Sequence, residues 1–145
     1  TGVQTCALPI STHYRINKID SKATVNDDTC WEMNVKSWIT SPLTTTKSGK
    51  VVFTGVAFSN GTPLKGVALS FDEGKTWKSA KFVGPNLGKF AWKQFQFEAN
   101  LEKGNYTVAS KATDEKGTQP KLRFENNSGY SHNGWLDHSV KITVA

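Results

Sequence analysis

The segment SFDEGKTW, residues 70–77, has the spacing Ser-x-Asp-x-Gly-x-Thr-Trp. Each fixed residue type in it has a physical task in a tight hairpin: Asp72 can accept hydrogen bonds from turn amides, Gly74 can take a positive φ, and Trp77 can cap the returning strand. A second group lies in FENNSGYSHNGW, residues 124–135, where Ser128, Gly129 and Tyr130 follow two asparagines in a turn-forming context. The histidines are His13, His132 and His138, with Asp137 beside the last, and no two of them stand at the i, i+2 or i, i+4 spacing of a ligand pair. No metal site is predicted. There is also no nucleophile–base pair, carboxylate dyad or phosphate-binding glycine loop, so no catalytic residue is assigned. Asn60, Asn105 and Asn126 each open an Asn-x-Ser/Thr triplet, which fits a glycan acceptor in a secretory pathway and equally an Asn-rich turn. The chemistry on offer is that of turns and surfaces.

Those turns punctuate short strands. From Met33 onward apolar residues alternate over short runs bounded by Gly, Pro, Asn and Ser, and no helical period persists for three turns. KVVFTGVAF puts Val52, Thr54, Val56 and Phe58 on one face; LKGVALSF puts Val67, Leu69 and Phe71 inward. In FAWKQFQFEA the apolar parity switches between Trp92 and Phe95, which calls for a bulge or for a strand covered on both faces. GNYTVASKA alternates Tyr106, Val108, Ser110 and Ala112, and the last strand points Val140, Ile142 and Val144 inward. About seven strands in this length predict an all-β fold, an immunoglobulin-like β-sandwich held by packing alone, since the usual buried cysteine pair is missing. Residues 11–32 have turn-formers and isolated aromatics without a period, and read as a connector ahead of a domain at 33–145.

At 145 residues, 37% hydrophobic and 21% charged, the composition is that of one ordinary domain. No run approaches the roughly 18 apolar residues that span a bilayer. The formal charge is +6, but only Arg15 and Arg123 among the 18 basic residues are arginine, and the lysines are scattered. A nucleic-acid footprint needs a dense basic stripe, so no nucleic-acid partner is predicted. Cys6 and Cys30 are too few for a disulfide framework or a zinc site.

An ordered set of segments carries a resemblance: MNVKSWITSP, VVFTGVAFSNG, GVALSFDEGKTWKSAKF, FAWKQFQFEA, YTVASKATDEKGTQP and ENNSGYSHNGW. Together they resemble the C-terminal dimerisation domain of the sulfite oxidase family of molybdenum-cofactor oxidoreductases, over nearly everything from Met33 onward. MNVKSWITSP and NNSGY are closer to the bacterial sulfite dehydrogenases than to the animal enzymes. The resemblance implies a homodimer and an immunoglobulin-like sandwich. It also implies a separate catalytic domain that holds the molybdenum cofactor and oxidises sulfite to sulfate, a cytochrome c-type electron acceptor and a periplasmic location. No counterpart of that catalytic domain fits before Met33, so the chain is expected to be a fragment, without cofactor and without catalysis of its own. In the animal members an arginine just before the loop glycine reaches the anion pocket. Here that position is Ser128, which gives one neutral hydrogen bond in place of a bidentate charged pair. Ser128, Gly129 and Tyr130 are therefore expected to shape the wall of the substrate pocket without holding the substrate.

The opening TGVQTCALPI has no charge and no alternation, and it resembles the translation of a common sequencing-library adapter; residues 1–10 are expected to be non-native and to add nothing to folding. Two rival readings stand beside the main one. SFDEGKTW resembles the Asp-box of sialidase-like propellers, and with Trp31, Trp38, Trp77, Trp92 and Trp135 it suggests a carbohydrate-binding or adhesive sandwich; propellers, however, repeat that box blade after blade and here it occurs once. The second keeps the fold and changes the substrate, since related catalytic domains reduce nitrate or methionine sulfoxide.

Overall fold

The computed structural model of the chain describes residue 12 and residues 14–145. Contacts divide it into two units: the described residues up to Met33 together with Phe124–His132, and Asn34–Arg123 together with Asn133–Ala145. In the first unit β1 (Arg15–Ile16) and β2 (Asp28–Thr29) pair antiparallel. This ladder is too short to leave a period in the sequence. Its cohesion comes from side chains: the Arg15 guanidinium donates to the Asp27 carbonyl at 2.9 Å and to Thr29 Oγ1 at 2.6 Å.

The second unit is a sandwich of two sheets. Its strands are β3 (Lys36–Ser41), β4 (Thr45–Thr46), β5 (Gly49–Phe58), β6 (Leu64–Ser70), β7 (Lys78–Ser79), β8 (Lys81–Val83), β9 (Lys93–Leu101), β10 (Gly104–Asp114) and β11 (Val140–Val144). One sheet has the order β4-β11-β10-β6-β7, the other β3-β5-β9-β8. Only the β4–β11 pair is parallel. The chain passes from one sheet to the other at both edges: β3 leads into β4 on one side and β7 into β8 on the other. Counting each crossing segment once leaves the seven strands of the sequence reading.

The core lies between the sheets. Ile39, Val51, Phe53, Ala57, Phe95 and Leu101 come from one sheet, and Val67, Leu69, Val108, Ala112, Ile142 and Val144 from the other. Strand alternation explains this inventory, since every second residue of a half-buried strand faces the partner sheet. On β5 Val51, Phe53, Ala57 and Phe58 are buried; Val52, Thr54 and Val56 share the outward face, and Phe58, of the same parity, is buried at the strand end, where it packs on Trp92. The run is apolar on both faces, and parity alone did not say which was inner.

The parity switch around Trp92 also has its explanation. β5 and β9 pair without a register shift from Lys93 to Leu101, so there is no bulge. Phe95 points into the core, while Trp92 precedes the strand and packs on Trp38 and Phe58 at centroid distances of 4.8 and 4.9 Å. Both faces are covered at that end.

One polar node crosses the core. Gln119, 2% exposed, uses Oε1 to accept the Ser37 N–H at 3.0 Å and the Ala112 N–H at 3.2 Å. The Ser37 hydroxyl has one hydrogen and lies 3.0 Å from both Gln119 Oε1 and Ser110 Oγ. This is why Ser110 can stand among inward apolar residues: its hydroxyl has a buried partner.

Candidate functional site

The Asp72 turn is built from its own residues. Ser70 Oγ donates to Asp72 Oδ1 at 2.7 Å and accepts the Gly74 N–H at 2.8 Å. Asp72 then accepts the Thr76 N–H on Oδ1 at 2.9 Å and the Thr76 hydroxyl on Oδ2 at 2.6 Å. These donors favour the carboxylate, and with Thr76 the largest contributor they hold Asp72 far below the usual aspartate range. Gly74 sits at φ 86°, and a Cβ there would run into the Trp135 ring. The Trp77 indole donates to the Gly74 carbonyl at 3.0 Å and meets Trp135 edge-on at 5.1 Å, with Lys111 Nζ 3.9 Å from the Trp77 ring centre. Every polar group named here is spent on the turn, and the Trp135 face is covered by it.

The loop Phe124–His132 belongs with the N-terminal segment. Asn127 N–H donates to the Asn17 carbonyl at 3.0 Å, and its side-chain amide donates to the Ser21 carbonyl at 3.2 Å. The Ser128 hydroxyl has the Arg15 carbonyl and Asn17 Oδ1, the latter at 2.6 Å, as its acceptors. Asn126, 6% exposed, donates from its amide to the Tyr130 carbonyl at 2.8 Å, so this triplet asparagine is folded inward. Gly129 takes φ 71°, which the turn requires, and the Tyr130 ring lies 5.8 Å from that of Tyr14. The structure thus brings Ser128, Gly129 and Tyr130 together on one turn, and Asp72, Gly74 and Trp77 on another. The partners Arg15 and Ser21 had no signal in the sequence, because they are joined to the loop through main-chain carbonyls that any residue supplies; Asn17 adds its side-chain Oδ1 to its carbonyl, but lies too far away in sequence for a local pattern to show it.

His13 and Cys6 lie outside the described residues, as does the adapter-like opening. His138 packs on Trp38 at 5.8 Å, and burial, then the Lys36 charge, push its pKa down against the opposing pull of Asp137. Among the described residues no group of three or more His, Cys, Asp or Glu is placed to hold a metal ion. Cys30, the one described thiol, lies 3.7 Å from Ser131 Oγ. This donor set does not fit a molybdenum cofactor.

A third place carries no motif because it is a surface. On the outward side of β3-β5-β9-β8, cross-strand pairing lines up Trp38, Val56, Gln94 and Val83 in one row and Thr54, Gln96 and Lys81 in the next; Val52 stands opposite Glu98. Val52 is 38% and Trp92 40% exposed. The Lys50–Glu98 ion pair at 2.8 Å lies at the end of this face. The signal was present as the second apolar set of β5.

Two sheets joined by crossing edge strands, with one Asp-box-type hairpin, define an all-β sandwich domain. Residues 27–145 match the Mo-co oxidoreductase dimerisation domain, and the chain belongs to that family. It is 32% identical over 124 residues to the mitochondrial sulfite oxidase of Rattus norvegicus, a match that covers 78% of this chain and 22% of that protein. Among solved structures it is similar to the sulfane dehydrogenase SoxCD from Paracoccus pantotrophus, with 29% identity and a TM-score of 0.70, over 91% of this chain and 37% of that one. The chain therefore spans well under half the length of these relatives. Among the described residues no helix is long and apolar enough to cross a membrane.

Proposed function

We propose that the chain is the dimer-forming domain of a molybdenum-cofactor oxidoreductase that oxidises sulfite to sulfate as a homodimer. The observation that carries this reading is the family match over residues 27–145, joined to the relationship with a sulfite oxidase. The cofactor and the chemistry belong to a catalytic domain elsewhere in the whole protein, which works in the periplasm and passes electrons to a cytochrome c-type acceptor. This domain contributes association and support. Ser128, Gly129 and Tyr130 line the wall of the substrate pocket, while catalytic-domain arginines hold the anion; the single hydrogen of Ser128 is already directed at Arg15 or Asn17.

A second reading keeps everything but the substrate. The similarity to a sulfane dehydrogenase, which covers 91% of the chain, favours an enzyme acting on sulfane sulfur. The whole protein, purified with its metal content measured, separates the two when cytochrome c reduction is followed with sulfite and with a sulfane donor. Turnover with sulfite and stoichiometric molybdenum are expected. Turnover with the sulfane donor alone selects the second reading, and a molybdenum-free active enzyme overturns both.

A further inference from the structure

Two Asn-Gly pairs occur in the chain, Asn60-Gly61 and Asn133-Gly134. In such a pair the main-chain nitrogen of the second residue can attack the side-chain carbonyl carbon of the first, and glycine permits this best because no Cβ shields its nitrogen. As sequence the two pairs are alike. We propose that the fold separates them, so that Asn60 is a site of spontaneous deamidation to aspartate and isoaspartate while Asn133 is protected.

Asn60 and Gly61 stand in the turn between β5, which ends at Phe58, and β6, which begins at Leu64. Both are half-buried, and the hydrogen bond that closes the turn, from the Gly61 N–H to the Ser59 carbonyl at 2.9 Å, leaves the Asn60 carboxamide out. That bond spans three residues and lies outside both sheets, so it opens without disturbing a ladder. Asn133 is held in the opposite way. It is 7% exposed, and its Nδ2, the atom that has to leave, donates to the Val35 carbonyl at 2.9 Å. Gly134 is packed so closely that a Cβ on it would lie 2.5 Å from the Arg123 nitrogen, and the Trp135 N–H that follows is bonded to the Pro120 carbonyl at 2.9 Å. This pair has no room to rotate into a ring.

The turn also accounts for the glycine after Asn60. Gly61 takes φ 69°, and a Cβ there would meet the Phe90 ring at 2.8 Å, so a bulkier residue that would slow the reaction does not fit. The chemistry needs only water and a base. A base removes the Gly61 N–H proton, the nitrogen bonds to Asn60 Cγ, and Nδ2 takes up the proton and departs as ammonia. Water then opens the cyclic imide at either carbonyl. An amide has become a carboxylate, and the formal net charge of +6 falls by one. The new charge stands one residue from Ser59, whose hydroxyl donates to the buried Asp114 at 2.6 Å.

The chain held at mildly alkaline pH in heavy-oxygen water, then digested and mapped by mass spectrometry, tests this. In the folded chain Asn60 is expected to convert at least about tenfold faster than Asn133, because a turn opens more readily than a packed segment. Each event should carry a heavy oxygen, and both aspartate and isoaspartate should form at position 60. In urea that unfolds the chain the two pairs should convert at similar rates, since the contacts that separate them are gone. Asn60→Gln, whose longer side chain would have to close a larger ring, should keep the isoelectric point of the folded chain constant over the same time. Equal rates in the folded chain, conversion of Asn133 first, or a preference for Asn60 that persists unchanged in urea overturns the proposal.

Discussion

The Asp72 carboxylate takes hydrogen bonds from Ser70, from the Thr76 hydroxyl and from the Thr76 amide, and all three favour its ionised form. Its folded pKa is depressed below the ordinary 3.8, so the stability it contributes is fully present above that value and is lost as the pH falls through the folded pKa. Asp72→Asn is therefore expected to lower the urea midpoint at about pH 7, and the gap to wild type should narrow as the pH is taken below about 4; a gap that stays constant to low pH would show that the charge has no part in the turn. Ser128 is the second residue with a measurable consequence. Its partners are the main chain at Arg15 and the Asn17 side chain, so Ser128→Ala removes one neutral hydrogen bond of about 0.5–1.5 kcal/mol. In the whole enzyme kcat/KM should fall less than about tenfold, and a thousandfold loss would mark Ser128 as a group that touches the substrate. The Asp72 turn could be read from eight contiguous residues because all its donors are local. The Ser128 loop could not, since its partners lie 111 and 113 positions away and are chosen by geometry.

The strands obey the same division between local and distant causes. Inward residues of β6, β10 and β11 were legible from alternation, because those strands are apolar on one side only; β5 was ambiguous because both of its sides are apolar, and only pairing with β3 and β9 decides which set is buried. Gln119 left no trace at all in a hydrophobic pattern. Replacing it by leucine leaves the buried Ser37 and Ala112 amides without an acceptor, at about 1–3 kcal/mol for each orphaned group. A chemical denaturation curve should show that loss, and a neutral Gln119→Leu would mean water takes over the site. Gly55 is constrained differently: a Cβ there meets the Phe95 ring and the Trp38 carbonyl. Gly55→Ala should cost about 1–3 kcal/mol by overpacking, read from the same curves, and relief by a simultaneous Phe95→Leu would tie the cost to that contact.

For the whole molecule, the family was legible because the ordered segments supply the turns and core positions of the sandwich, whereas the outward face of β3-β5-β9-β8 carries no motif and emerges only when four strands are laid side by side. The crossing strands have a consequence of another kind. Because the chain leaves one sheet and enters the other at both edges, neither sheet can detach without tearing out an edge strand of its neighbour. The sandwich is thus a single cooperative unit, one foldon in place of two. Amides of β5 and β10 should exchange with deuterium through the same global opening, with equal free energies and equal denaturant dependence, and calorimetric and van't Hoff enthalpies of the sandwich transition should coincide. Two exchange classes, one per sheet, would show that the seams do not couple them, and a mutation in either sheet would then be felt only on its own side.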